Sequence, residues 1–266
     1  MSRLRVGDIV VRKSHGSDLL FRVTGFTTDR GERSCTLCGV TLRLFADSKE
    51  EDLVKVDKLT AHINKARALG SIRSHETREL KGFDRTLLRN RPGKILHIDS
   101  DEDYLRQCLK FYKDFGLRPV GYFIQTEQQP RSIKKLLSRN RPDILVVTGH
   151  DGIKKNSDKF DINSYRNSKY YVESVKQARD YEANNEKLCV FAGACQSYFE
   201  EIMKAGANFA SSPGRVLINS LDPSIVAKKV ALTSKNAFVT PGQVARLTVS
   251  GAKGISGIDT RGKLDT

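Results

Sequence analysis

Two apolar runs of the chain end on side chains capable of nucleophilic and acid–base chemistry. Asp143-Ile-Leu-Val-Val-Thr-Gly-His150-Asp-Gly and Leu188-Cys-Val-Phe-Ala-Gly-Ala-Cys195-Gln-Ser each pass from β-branched or aromatic residues, through a small-residue turn, to a histidine or a cysteine. In an open parallel sheet, ligands and catalytic groups collect just beyond the carboxyl ends of the strands. Neighbouring strands would therefore deliver His150 and Cys195 to one crevice. The thiolate is the attacking form of a cysteine, so it needs a base or a local field that favours it. The pair has the composition of a cysteine nucleophile with its base.

Chain order narrows the pairing. All five histidines (His15, His62, His75, His97, His150) precede Cys195, so arrangements with the histidine after the cysteine cannot be built. A histidine roughly 50 residues upstream of an Ala-Cys pair is the caspase arrangement, and Ala194-Cys195 with His150 fits it. A helix expected from Gln196 to Ala205 would set its N-terminus beside the sulfur, favouring thiolate and supplying N–H donors. Taken singly, a cysteine after a buried strand is most often an inert small hydrophobe, the reading given to Cys189. His97, inside an apolar strand, reads as buried. Asp99, Asp101, Glu102 and Asp103 read as helix-capping residues, not metal ligands. The chain has no G-x-x-x-x-G-K-S/T, G-x-S-x-G, H-E-x-x-H or G-x-G-x-x-G, which removes the usual nucleotide-binding, serine-hydrolase and zinc-protease signatures. No cofactor or metal is expected.

The elements that would position these residues fall into three stretches. Residues 1–57 carry short β-rich runs separated by Gly, Asp and Ser turns, which predicts a small barrel; the opening "VGDIVVRK" is reminiscent of SH3-like barrels. Residues 58–93 read as a basic helix (Leu59, His62, Ile63, Ala66, Leu69) followed by a linker that ends at the turn signal Arg91-Pro92-Gly93. From residue 94 to 266 the pattern alternates strand and helix, which predicts an α/β domain with a largely parallel sheet. Its strands are expected at 95–98, 120–124, 143–148, 188–192 and 207–211.

Composition bounds the rest. Among 266 residues 38% are hydrophobic and 29% charged, which describes a polar globular protein with room for a sizeable core. The opening residues show no secretory h-region and no run long enough to span a bilayer, so an intracellular protein without membrane association is expected. Five cysteines argue for free thiols. Cys35 and Cys38 lack the second Cys/His pair that a structural zinc requires and read as strand residues. The net charge is +15, and residues 58–94 hold 10 basic against 3 acidic side chains. Such a run attracts polyanions and acidic surfaces. It leaves an alternative open, a basic nucleic-acid or scaffold-binding protein. Against it, the segment is poor in the aromatics that stack single-stranded bases, so nucleic acid is not the favoured partner.

The segments "VGDIVVRKSHGSDLLFRV", "GKILHIDSDEDYLRQCLKFY", "RPDILVVTGHDG", "VFAGACQSYFE", "AGANFASSPGRVLINSLDPS" and "GISGIDTRG" together span nearly the whole length. They resemble the YabG family of sporulation-specific cysteine peptidases of spore-forming Firmicutes. The resemblance implies a His150/Cys195 dyad on a caspase-like α/β sandwich, acting in the mother-cell cytoplasm on spore coat and other spore proteins. It also implies cleavage after basic residues, above all arginine. Caspase-like enzymes place Gly directly after the catalytic histidine, whereas this chain has Asp151 and then Gly152. The Cys195 amide is then one oxyanion donor, with the amide of Asp151 or Gly152 as the second. Arginine selectivity requires a carboxylate in the pocket; Asp222, expected in the loop after the fifth strand, is the first choice, with Asp158 and Asp161 as rivals. An arginine-selective enzyme would also find sites in its own segment 70–94, which holds Arg73, Arg78, Arg85, Arg89 and Arg91.

Overall fold

The computed structural model describes residues 3–29, 31–57, 59–61, 63 and 90–265. The chain divides into two compact units, residues 1–82 and 83–266. In the first, β1 (Ile9–Arg12), β2 (Phe21–Asp29), β3 (Glu32–Gly39), β4 (Phe45–Lys49) and β5 (Leu53–Lys55) form an antiparallel sheet in the order β4-β3-β2-β1-β5. Val10, Phe21, Val23, Cys35 and Leu37 are fully buried on it. Cys35 and Cys38 both lie on β3 as buried strand residues, and burial pushes the Cys35 thiol up. Apart from residues 59–61, 63 and 90–93, the expected basic helix and linker, with the arginines from Arg73 to Arg89, lie outside the described residues.

The second unit is built on a six-stranded sheet. β6 (Ile95–Asp99), β7 (Val120–Phe123), β8 (Ile144–Thr148), β9 (Cys189–Ala192) and β10 (Phe209–Ser211) are mutually parallel, and β12 (Ile255–Gly257) adds antiparallel to β10. The order is β12-β10-β9-β8-β6-β7. Every residue of β6, β8 and β9 is buried, as expected of central parallel strands covered on both faces, which is why they read in sequence as unbroken apolar runs. The crossovers are α1 (Glu102–Asp114), α2 (Gln129–Asn140), α3 (Ser168–Tyr181) and the short α4 (Phe199–Lys204). α1 starts at an Asp101 cap whose side chain accepts from the Tyr104 amide, with Glu102 and Asp103 in the first turn, where the helix dipole favours acids. It buries Tyr104, Leu105, Cys108, Phe111 and Tyr112. Ile133 and Leu137 of α2 and Tyr171, Val175 and Ala178 of α3 share one core with Leu145, Val147, Val190 and Ala192 of the sheet.

Two sequence expectations are corrected. The helix expected from Gln196 starts only at Phe199, because Gln196 takes a left-handed φ of 54° that no α-helix contains. The stretch 212–265, in which no element was foreseen, holds α5 (Asp222–Leu232), β11 (Phe238–Val239), α6 (Pro241–Leu247), α7 (Gly251–Gly254), β12 and β13 (Thr260–Arg261).

Candidate active site

The strand register defines the site. Along β6 each residue pairs with the β8 residue 49 positions later, from Ile95↔Ile144 to Asp99↔Thr148. Along β8 each pairs with the β9 residue 45 positions later, from Ile144↔Cys189 to Val147↔Ala192. Carried past the strand ends, the same two offsets connect Asp101 to His150 and His150 to Cys195. All three thus follow the carboxyl ends of adjacent parallel strands, where α/β sheets hold their ligands.

The turns keep that alignment. The Gly193 amide donates to the Val147 carbonyl at 3.1 Å, and Thr148 Oγ1 to the Gly193 carbonyl at 2.9 Å. Gly193 has φ 109°, open to glycine and strained for other residues, and this turn swings the chain from β9 to Cys195. After β8, a Cβ on Gly149 would meet Ser100 Oγ at 2.0 Å, so the β6 and β8 loops touch there.

His150 is almost fully buried, at 2% exposure. Its ring stacks on Tyr104, centroids 5.1 Å apart and planes 24° apart. Its carbonyl accepts from Asn167 Nδ2 at 2.8 Å and the Tyr171 hydroxyl at 3.1 Å. Nε2 lies 4.0 Å from Asp101 Oδ2. The carboxylate that caps α1 thus also stands in ion-pair range of His150, and sequence reading missed this because the cap explained the residue completely. The signal that finds it is the sheet order, β9-β8-β6, which puts its loop next to that of His150. His97 is fully buried between Tyr112, whose hydroxyl is 3.0 Å from Nδ1, and Asp99, 3.6 Å from Nε2. His15 lies in the first unit, while His62 and His75 fall outside the described residues.

Cys195 is fully buried. The Ile218 amide donates to its Sγ at 3.0 Å, and the Ile218 carbonyl stands 3.6 Å from the sulfur. The segment 212–221 therefore covers the thiol. It is tied down by the Gln196 amide, which donates to the Val216 carbonyl and to Ser212 Oγ, both at 3.1 Å. The contrast with Cys189 is one of place: within β9, burial pushes the Cys189 thiol up to about 12.

Asp151 is the anchor of the site. Its Oδ1 accepts the amides of Gly152 and Asn167 at 2.8 Å each, and Oδ2 accepts the hydroxyls of Ser168 at 2.6 Å and Ser197 at 2.9 Å. Ser197 in turn accepts the Ala194 amide at 2.9 Å. One carboxylate thus ties the loop after His150 to the start of α3 and to the turn that carries Cys195. Burial pushes its pKa up to about 6, against the four donors that favour the anion. The Gly152 amide is engaged by this carboxylate.

The three expected specificity acids sit in two settings. Asp222 does not lie in an open loop: it is the first residue of α5, fully buried, with its two oxygens accepting the amides of Val249 at 2.8 Å and Ser250 at 3.1 Å. Burial raises its pKa. Its two bonds tie the start of α5 to the turn at Val249 and Ser250. Asp158 and Asp161 lie in the exposed loop before α3, where Asp158 accepts the Phe160 amide and Asp161 the Asn163 amide. Among the described residues no group of three or more His, Cys, Asp or Glu can hold a metal, and no helix is long and apolar enough to cross a membrane.

A family model, YabG peptidase U57, matches residues 5–266. The sporulation-specific protease YabG of Bacillus subtilis (strain 168) is 40% identical over 282 residues, covering 98% of this chain and 97% of that protein. No solved structure matches the chain.

Proposed function

The chain belongs to the YabG peptidase U57 family, and we propose that it is a cysteine endopeptidase whose nucleophile is Cys195 and whose acid–base is His150. The observation that carries this reading is that the two residues follow the carboxyl ends of adjacent parallel strands, β8 and β9, within a family of peptidases. Cys195 attacks the scissile carbonyl and forms a thioacyl enzyme. His150 protonates the leaving amine and then takes a proton from the water that hydrolyses the thioester. Asp101 orients the imidazole from its Nε2 side. The Cys195 amide is one oxyanion donor. With the Gly152 amide engaged by Asp151, the second falls to the Asp151 amide.

Substrates are spore proteins, those of the coat included, cut after arginine in the mother cell. The chain's own segment 70–94 is a further substrate; wild type is then clipped there and Cys195→Ala stays whole. The buried thiol adds a condition. A peptide reaches Cys195 only when the segment 212–221 moves, because the Ile218 backbone occupies the approach to the sulfur.

The test is cleavage of a short fluorogenic peptide with Arg before the reporter, by wild type, Cys195→Ala and His150→Ala. Circular dichroism confirms the fold of each. Activity that disappears in both variants supports the dyad; activity that survives Cys195→Ala sinks it.

A further inference from the structure

The segment that covers Cys195 places an arginine in a setting built for a guanidinium. Arg215 Nε donates to the Tyr165 hydroxyl at 2.7 Å, and Nη2 to Glu200 Oε2 at 2.5 Å. Nη1 points at the carbonyls of Ser212 and Pro213, 3.3 and 3.4 Å away. The rings of Tyr165 and Tyr198 stack on each other, centroids 5.1 Å apart and planes 15° apart. The Arg215 guanidinium carbon lies 5.7 and 5.2 Å from their centroids. A carboxylate and a phenolic acceptor, with aromatic faces behind them, match a planar forked cation and suit an ammonium poorly.

This cradle adjoins the nucleophile along the chain. Tyr198 and Glu200 come three and five residues after Cys195. Arg215 lies in the segment whose Val216 carbonyl takes the Gln196 amide and whose Ile218 amide reaches the sulfur. Tyr165 and Tyr198 are buried, but the Glu200 side chain is 53% exposed, so the cradle opens to solvent on its acidic side. Ser212, Arg215 and Gln196 all hold left-handed φ angles, of 69°, 54° and 54°. Such backbone persists only when its surroundings enforce it, and here the enforcing contacts are the guanidinium cradle and the Gln196 amide on Val216 and Ser212.

We propose that Tyr165, Tyr198 and Glu200 form the pocket that receives a substrate arginine, and that Arg215 occupies it in the resting protein as a tethered competitor. The proposal rests on the reading of Cys195 as the peptidase nucleophile. It places the specificity carboxylate on Glu200. A tethered side chain acts at an effective concentration in the millimolar range, so a free arginine peptide binds weakly until the segment swings away. The same movement uncovers the sulfur, and pocket and nucleophile are opened together.

The experiment uses the full chain carrying Cys195→Ala, so that binding is read without cleavage. A fluorescent peptide with a single Arg is titrated against its citrulline twin, which keeps the shape and loses the charge. Removing the tethered competitor with Arg215→Gln tightens the Arg peptide at least tenfold and leaves the citrulline peptide unchanged. Adding Glu200→Gln, or Tyr165→Phe, to Arg215→Gln reverses that gain. Equal affinities for the two peptides in the folded Arg215→Gln chain, or a gain that Glu200→Gln does not reverse, overturn the proposal. Should Arg215→Gln lose its circular dichroism signal, Glu200→Gln alone decides it. That single change frees Arg215 and weakens the pocket; cleavage by the otherwise wild-type enzyme should then lose its preference for Arg over citrulline, and an unchanged preference overturns the pocket. The underlying reading fails separately: cleavage of the Arg peptide by Arg215→Gln that survives the further change Cys195→Ala refutes the nucleophile and leaves the pocket standing.

Discussion

Replacing Asp151 with asparagine should change how stability depends on pH, with a sign and a size that follow from its surroundings. The carboxyl is fully buried and its pKa stands at about 6, against an ordinary 3.8. A group whose pKa is raised by folding binds its proton more tightly in the folded state. Its stabilising contribution is complete below the unfolded value and is lost as pH rises through the folded one. At ~1.4 kcal/mol per tenfold change in proton affinity, the difference is worth about 3 kcal/mol, of which roughly 2 to 3 kcal/mol falls between pH 4 and pH 7.5. Asparagine does not titrate. It also disturbs the hydroxyls, because Ser168 and Ser197 each donate to Oδ2 while accepting a backbone amide. An amide nitrogen there leaves their protons without an acceptor, a pH-independent loss of about 1–3 kcal/mol. Urea unfolding of both proteins in the Cys195→Ala background, at steps from pH 4 to pH 7.5, gives the stability gap directly. Other carboxylates cancel in that difference. Wild type should lead by most at pH 4, and its lead should shrink by about 2 to 3 kcal/mol by pH 7.5. A gap that stays constant, or widens as pH rises, would mean that the four donors outweigh burial, and the reasoning would be wrong.

Three further outcomes follow from the same geometry. Asp101→Asn keeps the helix cap, since asparagine caps as well as aspartate, but removes the carboxylate 4.0 Å from His150. It should lower kcat about ten- to a hundredfold with KM unchanged and the urea midpoint intact, whereas an unaltered kcat would leave Asp101 a cap alone. Asp222→Ala removes the buried carboxylate that accepts the amides of Val249 and Ser250. It should cost about 2–4 kcal/mol in urea unfolding and lower cleavage of Arg and citrulline peptides in parallel; a loss confined to Arg peptides would restore Asp222 as the specificity acid. Cys189, its thiol pushed up to about 12, should resist iodoacetamide at pH 8 in the folded protein, where on the order of one molecule in ten thousand carries the thiolate. Peptide mass mapping reads this, and rapid alkylation there would contradict the burial.

Residues whose physics is local were legible in the sequence. The central strands read as continuous β-branched and aromatic runs because both faces of a parallel strand are covered. Asp101 read as a cap because Asp before an acidic first turn has little else to do in an isolated helix. What could not be read depends on partners far along the chain. β12 is three residues long and exists through its pairing with β10, Phe209↔Gly257 to Ser211↔Ile255. Asp222 looked like a loop carboxylate because the amides it holds come from residues 249 and 250. Gln196 looked helical because nothing in its side chain announces a left-handed backbone; that φ is imposed by the bonds from its amide to Val216 and Ser212. The nearness of Asp101 to His150 shows only once the sheet order sets the β6 loop beside that of His150.

The closed site follows from these same long-range contacts. His150 and Cys195 stand at 2% and 0% exposure, and a thiol under its own backbone cannot meet a peptide. What covers it is held on one side by the core, through Asp222 on the amides of Val249 and Ser250 and the Ser250 hydroxyl that accepts the Asn219 amide at 3.0 Å. On the other side it is held by Arg215, whose salt bridge ends on a half-exposed Glu200, by the Gln196 amide on Val216 and Ser212, and by the amides of Ser212 and Gly214 on the carbonyls of Gly254 and Lys253. An ion pair with one partner in solvent is worth little, about 0–1 kcal/mol, so the backbone bonds carry most of the hold on that side. Movement that opens the site must break the Gln196 and Arg215 contacts of residues 212–217 to lift Ile218 from the sulfur, while Asp222 keeps α5 docked.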